Sequence, residues 1–136
     1  MLIFFCYYLE LLALNLVSRY KKIFGNKGEN YAQEFLTQKG LRILGRNFRI
    51  WGGEIDIIAK DLKTKEIVFV EVKTRSGEDW MEIDEALNKN QIRFIKRAGK
   101  RFLYRFELEN ESWRVDFVGI LLQGGVVKKI VHFLAI

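Results

Sequence analysis

The chain has 136 residues, 49% hydrophobic and 29% charged, which predicts one folded domain and excludes extensive disorder. A single cysteine, Cys6, excludes an internal disulfide, and a single histidine, His132, argues against a zinc site made of Cys and His. The net charge of +6 favours an anionic partner, either a nucleic acid or a membrane surface.

The first predicted element is the apolar stretch 1–17, which is interrupted by Glu10 and Asn15. A stretch of 17 residues is short for a membrane span, and a glutamate inside a span is costly, so a membrane anchor is the less favoured interpretation. The other two are a helix that packs on the domain or on a second copy, and an upstream translation start. We therefore expect a hydrophobic extension over 1–19 and one cytoplasmic domain over 20–136.

The rest of the pattern predicts a mixed α/β domain in the order helix, three strands, helix, two strands. The predicted elements are a loop at 25–28, a helix at 29–39 capped by Gly40, strands at 41–50, 54–61 and 66–75, a helix at 83–106, and strands at 113–122 and 126–133. Gly45 is expected to bend the first strand. Asp116 stands in an apolar strand, so we expect it to pair with an arginine or to cap a loop.

The predicted hairpin brings two carboxylates together. If its turn is centred between Lys63 and Thr64, Asp56 faces Glu71 and Glu54 faces Lys73. Strand alternation then puts these four on one face with Ile58 and Phe69, and leaves the core face to Ile55, Ile57, Ala59, Val68, Val70 and Val72. Facing carboxylates repel each other unless a cation or a proton joins them. A metal site and an ion-pair network are both compatible with this pattern.

Glu29 adds a third carboxylate, because it lies three residues before Ala32 and seven before Leu36 on the inward face of the first helix. Taken alone, it is better explained as a residue that favours the helix dipole. Beside Asp56 and Glu71 it becomes a candidate ligand. Oxygen ligands select Mg²⁺ or Mn²⁺, and a neighbouring lysine stabilises charge on a phosphate, which together suit phosphodiester hydrolysis.

The second helix favours a nucleic acid as the partner. Between 86 and 106 there is no acidic residue, and seven residues are positive: Lys89, Arg93, Lys96, Arg97, Lys100, Arg101 and Arg105. A solvated helix usually mixes charges of both signs, so a face of one sign favours phosphate contacts. Arg46 and Arg49 add positive charge before the hairpin. The alternative is an ordinary basic surface.

Several motifs together resemble the YraN-like family of predicted bacterial endonucleases. They are Gly28-Glu29 with Ala32, Leu36 and Gly40; Arg46-Asn47-x-Arg49; Gly53-Glu54-Ile55-Asp56-Ile57-Ile58-Ala59-x-Asp61; Phe69-Val70-Glu71-Val72-Lys73-Thr74-Arg75; Arg114-Val115-Asp116; and Ile130-x-His132-Phe133-x-Ala135. The resemblance runs from about residue 20 to residue 136. One departure is Gln91, which stands where the family often has lysine.

The resemblance implies a restriction-endonuclease-like fold, in which a mixed sheet of five strands is flanked by helices. The fold is related to archaeal Holliday-junction resolvases and other PD-(D/E)XK nucleases. The resemblance also implies that Asp56, Glu71, Lys73 and Glu29 are catalytic. The implied ligands for Mg²⁺ or Mn²⁺ are Asp56, Glu71, Glu29 and the Val72 carbonyl.

We therefore expect a metal-dependent endonuclease that acts on DNA, with branched DNA as one substrate class. A resolvase-like role implies a homodimer. The alternatives are a nucleic-acid-binding module that does not cut and a structural or membrane-tethered interaction protein that uses residues 1–17. Salt-sensitive nucleic-acid binding would separate the first two classes from the third.

Overall fold

A computed structural model describes residues 27–50, 53–76 and 88–136. The predicted extension over 1–19 lies outside the described residues. Neither helix within the described ranges is long and apolar enough to cross a membrane.

The described elements follow the predicted order, helix, three strands, helix, two strands, which confirms the expected fold class. They are α1 (Lys27–Gln38), β1 (Leu41–Ile50), β2 (Gly53–Asp61), β3 (Ile67–Ser76), α2 (Lys89–Arg105), β4 (Trp113–Gln123) and β5 (Val126–Phe133). The five strands form one mixed sheet in chain order. Among these five described strands only β3 and β4 run parallel, and α2 lies in the crossover that a parallel pair needs.

The two helices cover opposite faces of the sheet, and each face has its own apolar cluster. The cluster under α2 includes Ile58, Phe69, Ile95, Ala98 and Phe102. The cluster under α1 includes Ala32, Leu36, Ile57, Val68, Val70 and Val118. Both faces of the central strands are therefore buried, which explains the almost continuous apolar runs of β2 and β3.

Helix α1 begins at Lys27, so the prediction of a loop over 25–28 is wrong for its last two residues. Gly28 lies in the first turn of this helix, where a Cβ would stand 1.7 Å from Thr74 Oγ1. The missing side chain lets α1 approach β3 closely. At the other end, Gly40 has φ +89° and donates its N–H to the Thr37 carbonyl, which confirms the predicted cap.

Helix α2 is shorter than predicted. Asn88 has an extended backbone and accepts a hydrogen bond from Asn90 N–H on its side chain, so the helix begins at Lys89 rather than running unbroken from residue 83. Residues 83–87 lie outside the described part of the chain. Ile95, Ala98, Phe102 and Leu103 form the buried face of this helix, whereas Phe94 is 42% exposed.

The predicted hairpin register is confirmed where the two strands pair: Ile57 lies opposite Val70 and Ile58 opposite Phe69. This pairing ends at Ile57, one residue before the predicted contact of Asp56 with Glu71. The strands separate there instead of continuing the ladder.

Where this pairing ends, the alternation of side chains between the two faces of the sheet is also interrupted. Ile55 packs under α2 whereas Ile57 packs under α1, so the prediction that both lie on one core face is wrong. On β1, Arg46 contacts α1 while Phe48 packs under α2. Asn47 lies between them with φ 49°, a left-handed conformation that asparagine tolerates. The local reversal explains why a strict period of two fails here.

Asp116 is fully buried and forms the centre of a polar network. It accepts hydrogen bonds from Arg114 Nε at 2.9 Å and from Ala135 N–H at 3.0 Å, and it contacts His132 Nε2 at 2.9 Å. Arg114 also binds Asp61, which lies at the end of β2. Burial alone would raise the pKa of Asp116, but the bonds with His132 and Arg114 lower it below its ordinary value. The expected pairing with an arginine is confirmed.

Candidate active site

Asp56 occupies the gap that opens where β2 and β3 separate. Its Oδ2 accepts a hydrogen bond of 2.7 Å from Val72 N–H, so a side chain replaces the neighbouring strand as the partner of that backbone group. In an extended strand the N–H and the carbonyl of one residue point to the same side, so the Val72 carbonyl faces this gap as well. The site therefore forms because the hydrogen-bonded pairing of β2 with β3 ends at Ile57.

Glu71 lies on β3, on the same face as Phe69, and is almost completely buried. Its Oε1 lies 2.8 Å from Lys73 Nζ and also accepts a hydrogen bond from Gln91 Nε2. Gln91 belongs to the first turn of α2, so this bond ties the basic helix directly to the site. The residue that departs from the family pattern is thus in contact with a candidate catalytic carboxylate.

Glu29 reaches the site from α1, on the other face of the sheet. Its Oε2 lies 3.3 Å from Arg46 Nη2, and Arg46 Nη1 binds the side chains of Asn30 at 2.6 Å and Gln33 at 3.1 Å. Arg46 therefore holds the first turns of α1 against β1. The close contact of Gly28 with Thr74 holds the same end of the helix against β3.

The pKa of Asp56 responds to the charged groups around it. Burial, and then the negative charges of Glu71 and Glu29, raise the pKa of Asp56 to about 7. The Val72 N–H and the Lys73 ammonium act in the opposite direction. Two carboxylates and one lysine therefore act on the charge of Asp56, and an added cation would relieve the repulsion among the carboxylates.

Each of the three carboxylates uses only one of its oxygens within the described residues. The bound oxygens are Asp56 Oδ2, Glu71 Oε1 and Glu29 Oε2. Asp56 Oδ1, Glu71 Oε2 and Glu29 Oε1 have no protein partner in the described ranges. Such a donor set suits a hard cation such as Mg²⁺ or Mn²⁺. Across those same ranges, no three His, Cys, Asp or Glu side chains form a ready-made metal cluster.

Glu54 does not take part in this arrangement. It was expected opposite Lys73, but it lies opposite Arg49 of β1, with Arg49 Nε 3.4 Å from Glu54 Oε2. The predicted contact between Glu54 and Lys73 is therefore wrong. Glu54 and Lys73 do not face each other because β2 and β3 separate beyond Ile57.

Helix α2 presents a continuous basic face. Its exposed cationic residues are Lys89, Arg93, Lys96, Arg97, Lys100 and Arg105, and Arg101 is partly exposed. Within the described residues, no ion pair involves Lys89, Arg93, Lys96, Arg97 or Lys100. The face starts beside Gln91 and Glu71 and extends along the helix. Its position agrees with the predicted nucleic-acid contacts, which remain a prediction.

The two arginines of β1 lie in different places. Arg49 is highly exposed, and its only described ion pair is the weak one with Glu54. Arg46 contacts α1 on the face of the sheet opposite α2. Its guanidinium donates hydrogen bonds to the side chains of Glu29, Asn30 and Gln33. The geometry therefore separates Arg46 from the basic face of α2.

Three site-forming features were not found from the sequence. They are the left-handed backbone of Asn47, the contact of Gly28 with Thr74, and the salt bridge between Arg46 and Glu29. Asparagine is one of the few residues other than glycine that favour positive φ, so Asn47 carried a weak signal. The other two depend on contacts between distant parts of the chain and left no local signal.

Comparison with known proteins identifies a family over this region. The sequence profile described as "Uncharacterised protein family UPF0102" matches residues 28–120, a range that includes every candidate catalytic residue. A UPF0102 protein of Pelobacter propionicus is 41% identical over 108 residues, covering 79% of this chain and 77% of that protein. A UPF0102 protein of Caldicellulosiruptor saccharolyticus is 43% identical over 102 residues, covering 75% and 85%. A solved structure, the EndoMS-dsDNA2 complex, matches with a TM-score of 0.34 and 18% identity over 71% of this chain and 47% of that chain.

Proposed function

We propose that this chain is a metal-dependent endonuclease that hydrolyses phosphodiester bonds of DNA. The chain belongs to family UPF0102, which is the YraN-like family that its motifs resemble. The observation that carries the proposal is the convergence of Glu29, Asp56 and Glu71 beside Lys73, at the gap between β2 and β3. Three elements contribute these side chains. Their approach is costly unless positive charge offsets it.

The donor chemistry fits a divalent cation. Among the residues that the structure describes, Asp56, Glu71 and Glu29 each keep one carboxylate oxygen without a partner, and the Val72 carbonyl faces the same gap. These oxygens are the ligands we propose for Mg²⁺ or Mn²⁺. A cation bound there would orient a phosphate group and stabilise negative charge on the departing oxygen.

The protein groups around the carboxylates have distinct roles in this proposal. The Val72 N–H fixes the orientation of Asp56, and Gln91 with Lys73 fixes that of Glu71. The partly exposed ammonium of Lys73 can turn from Glu71 toward a bound phosphate, where it would orient the attacking water and stabilise the charge that grows on the phosphate oxygens. Arg46 is a positioning residue, because it acts through Glu29.

DNA is the proposed substrate because the site opens next to the basic face of α2. That face carries no acidic residue and begins at the helix turn that contacts Glu71. Cations arranged in this way bind the phosphate backbone and fix the position of a duplex relative to the site. The resemblance to Holliday-junction resolvases extends the proposal to branched DNA.

One observation favours a second candidate, a nucleic-acid-binding module that does not cut. Within the described residues, no three acidic, histidine or cysteine side chains form a preformed metal cluster. Lys73 and Gln91 both occupy Glu71 Oε1, and Arg46 occupies Glu29 Oε2. A binding module would use the basic face of α2 in the same way and leave the carboxylates as an ion-pair network.

The test is cleavage of labelled linear, nicked and four-way DNA in Mg²⁺ or Mn²⁺, with EDTA as the metal-free arm. Wild-type protein is compared with Asp56→Asn and Lys73→Met, which remove one proposed ligand and one proposed charge stabiliser. Each is expected to reduce the rate by about 100- to 10,000-fold. Binding of Mn²⁺, followed by electron paramagnetic resonance, should weaken in Asp56→Asn and persist in Lys73→Met.

Matched controls come from exposed residues outside the site. Glu34→Gln removes a carboxylate on the solvent side of α1, and Lys63→Met removes a lysine in the hairpin turn. Both should cut at the wild-type rate. Salt-sensitive DNA binding without cutting in either metal would reject the nuclease and leave the binding module. Cutting that survives Asp56→Asn would reject the proposed site.

Action on a four-way junction requires two cuts, so we propose that the resolvase-like form of the function uses a dimer. Light scattering of the protein with and without four-way DNA measures the mass directly. A monomer under both conditions would limit the proposal to single cuts.

A further inference from the structure

Tyr104 stands near the C-terminal end of α2, beside the cations of its basic face, and is 76% exposed. Lys100 and Arg101 precede it by four and three residues, and Arg97 precedes it by seven, so all three lie on its side of the helix. Within the described residues its ring contacts no other aromatic ring. A large apolar ring is therefore held in solvent among cations.

An exposed ring in that setting matches one feature of nucleic acids, the flat face of an unpaired base. Every base has such a face, whereas paired bases inside a duplex cover theirs by stacking. Cations on the same helix would hold the phosphates on either side of the stacked base. Protein surfaces that bind single strands combine these two elements.

The position of Tyr104 relative to the candidate active site sets the geometry of such a substrate. Gln91, which contacts Glu71, lies 13 residues before Tyr104 in the same helix. At about 1.5 Å per residue, the two are separated by about 20 Å along the helix axis. That length corresponds to about six nucleotide steps of roughly 3.4 Å each.

We propose that Tyr104 is the stacking contact for unpaired nucleotides in a DNA substrate that joins duplex to single strand, such as a fork, flap or overhang. The inference rests on the proposed function, since it names the class of DNA that the enzyme acts on. The duplex would lie at the end of α2 near Glu71, and unpaired bases would reach Tyr104 about six nucleotides away.

The test measures binding rather than cutting, so it does not depend on catalysis. Fluorescence anisotropy in EDTA gives the affinity of each protein for a blunt duplex, a forked duplex and a single strand. Tyr104→Ala should weaken binding of the fork and the single strand by about 5- to 100-fold and change the blunt duplex by less than about twofold. Tyr104→Phe keeps the ring and should match wild type, whereas Tyr104→Leu should match Tyr104→Ala.

Two controls make the result specific. Lys100→Ala removes a neighbouring cation and should weaken all three DNAs and lower the salt slope by about one, while Tyr104→Ala leaves the slope unchanged. A fork carrying 2-aminopurine in its unpaired arm should change fluorescence on binding to wild type and not on binding to Tyr104→Ala.

Three outcomes would overturn the inference: an equal loss on blunt duplex, no loss on the fork, or a change of oligomeric mass in Tyr104→Ala with unchanged DNA binding. The last would assign Tyr104 to a protein contact. A protein that shows the expected Tyr104 dependence but never cuts would reject the proposed nuclease and keep this surface. A protein that cuts normally with Tyr104→Ala on forked DNA, and binds it normally, would reject this surface alone.

Discussion

The contact between Gly28 and Thr74 makes the position of the proposed catalytic carboxylate of Glu29 depend on an absent methyl group. A Cβ at residue 28 would lie 1.7 Å from Thr74 Oγ1 and 2.9 Å from Thr74 Cβ. Rotation of the threonine could move the oxygen but not its Cβ, and ordinary carbon–carbon contacts begin at about 3.5 Å. Gly28→Ala must therefore shift the start of α1 away from β3 by between about 0.6 and 1.8 Å.

That shift has two consequences that can be measured separately. Overpacking at a buried contact costs about 1–3 kcal/mol, so the free energy of unfolding from urea titration should fall by that amount. Glu29 follows Gly28 directly and would move with it. A displacement of about 1 Å of a positioned catalytic group lowers rates by about 100-fold, which we expect for DNA cleavage by Gly28→Ala.

A double-mutant cycle tests whether the loss acts through Glu29. In a Glu29→Gln background, Gly28→Ala should reduce cleavage little further, because the displaced group is already inactive. Thr74→Ala alone should be close to wild type in stability, and Gly28→Ala combined with it should recover part of the loss. Wild-type stability of Gly28→Ala would refute the close approach of α1 to β3. Reduced stability with wild-type cleavage would refute its link to the site.

Three further predictions concern stability and are checked by urea denaturation. Asp116→Asn should cost about 3 kcal/mol, because Arg114 loses its fully buried charged partner, although it keeps the more exposed Asp61 and Glu66. A loss below about 1 kcal/mol would contradict this. Hydrogen bonds hold the pKa of Asp116 below its ordinary value of 3.8, so its stabilising contribution is complete above that value and is lost as the pH falls through the lower folded-state pKa. Wild type should thus lose more stability in acid than Asp116→Asn. Gly99→Ala places a methyl 2.7 Å from the Phe69 ring and should cost about 1–3 kcal/mol, partly recovered by Phe69→Leu.

The order of elements and the hairpin register were predictable because both follow from local patterns. β2 and β3 are two apolar runs, and the turn residues at 62–65 that separate them set the register of the hairpin. Gly40 marked the end of α1 by the preference of glycine for positive φ. These signals are carried within short windows of sequence.

The candidate site was predicted in its membership but not in its geometry. Alternation placed Asp56 directly opposite Glu71, whereas Asp56 lies in the gap between strands and binds Val72 N–H. A rule of period two assumes a regular strand, and the strands are irregular at this level, where Asn47 adopts a left-handed backbone. Contacts across the fold, such as Arg46 with Glu29, depend on which helix covers which face.

The bond between Asp56 and Val72 gives the protein a built-in spectroscopic reporter. Amides in the middle of a sheet exchange with deuterated solvent only when strands separate, whereas the Val72 amide is held by one side chain. Its chemical shift and its exchange rate should therefore follow the state of Asp56 independently of global unfolding. In a nitrogen-15 spectrum, this one peak would record the arrival of an ion or of DNA at the gap between β2 and β3, even in a variant that cannot cut.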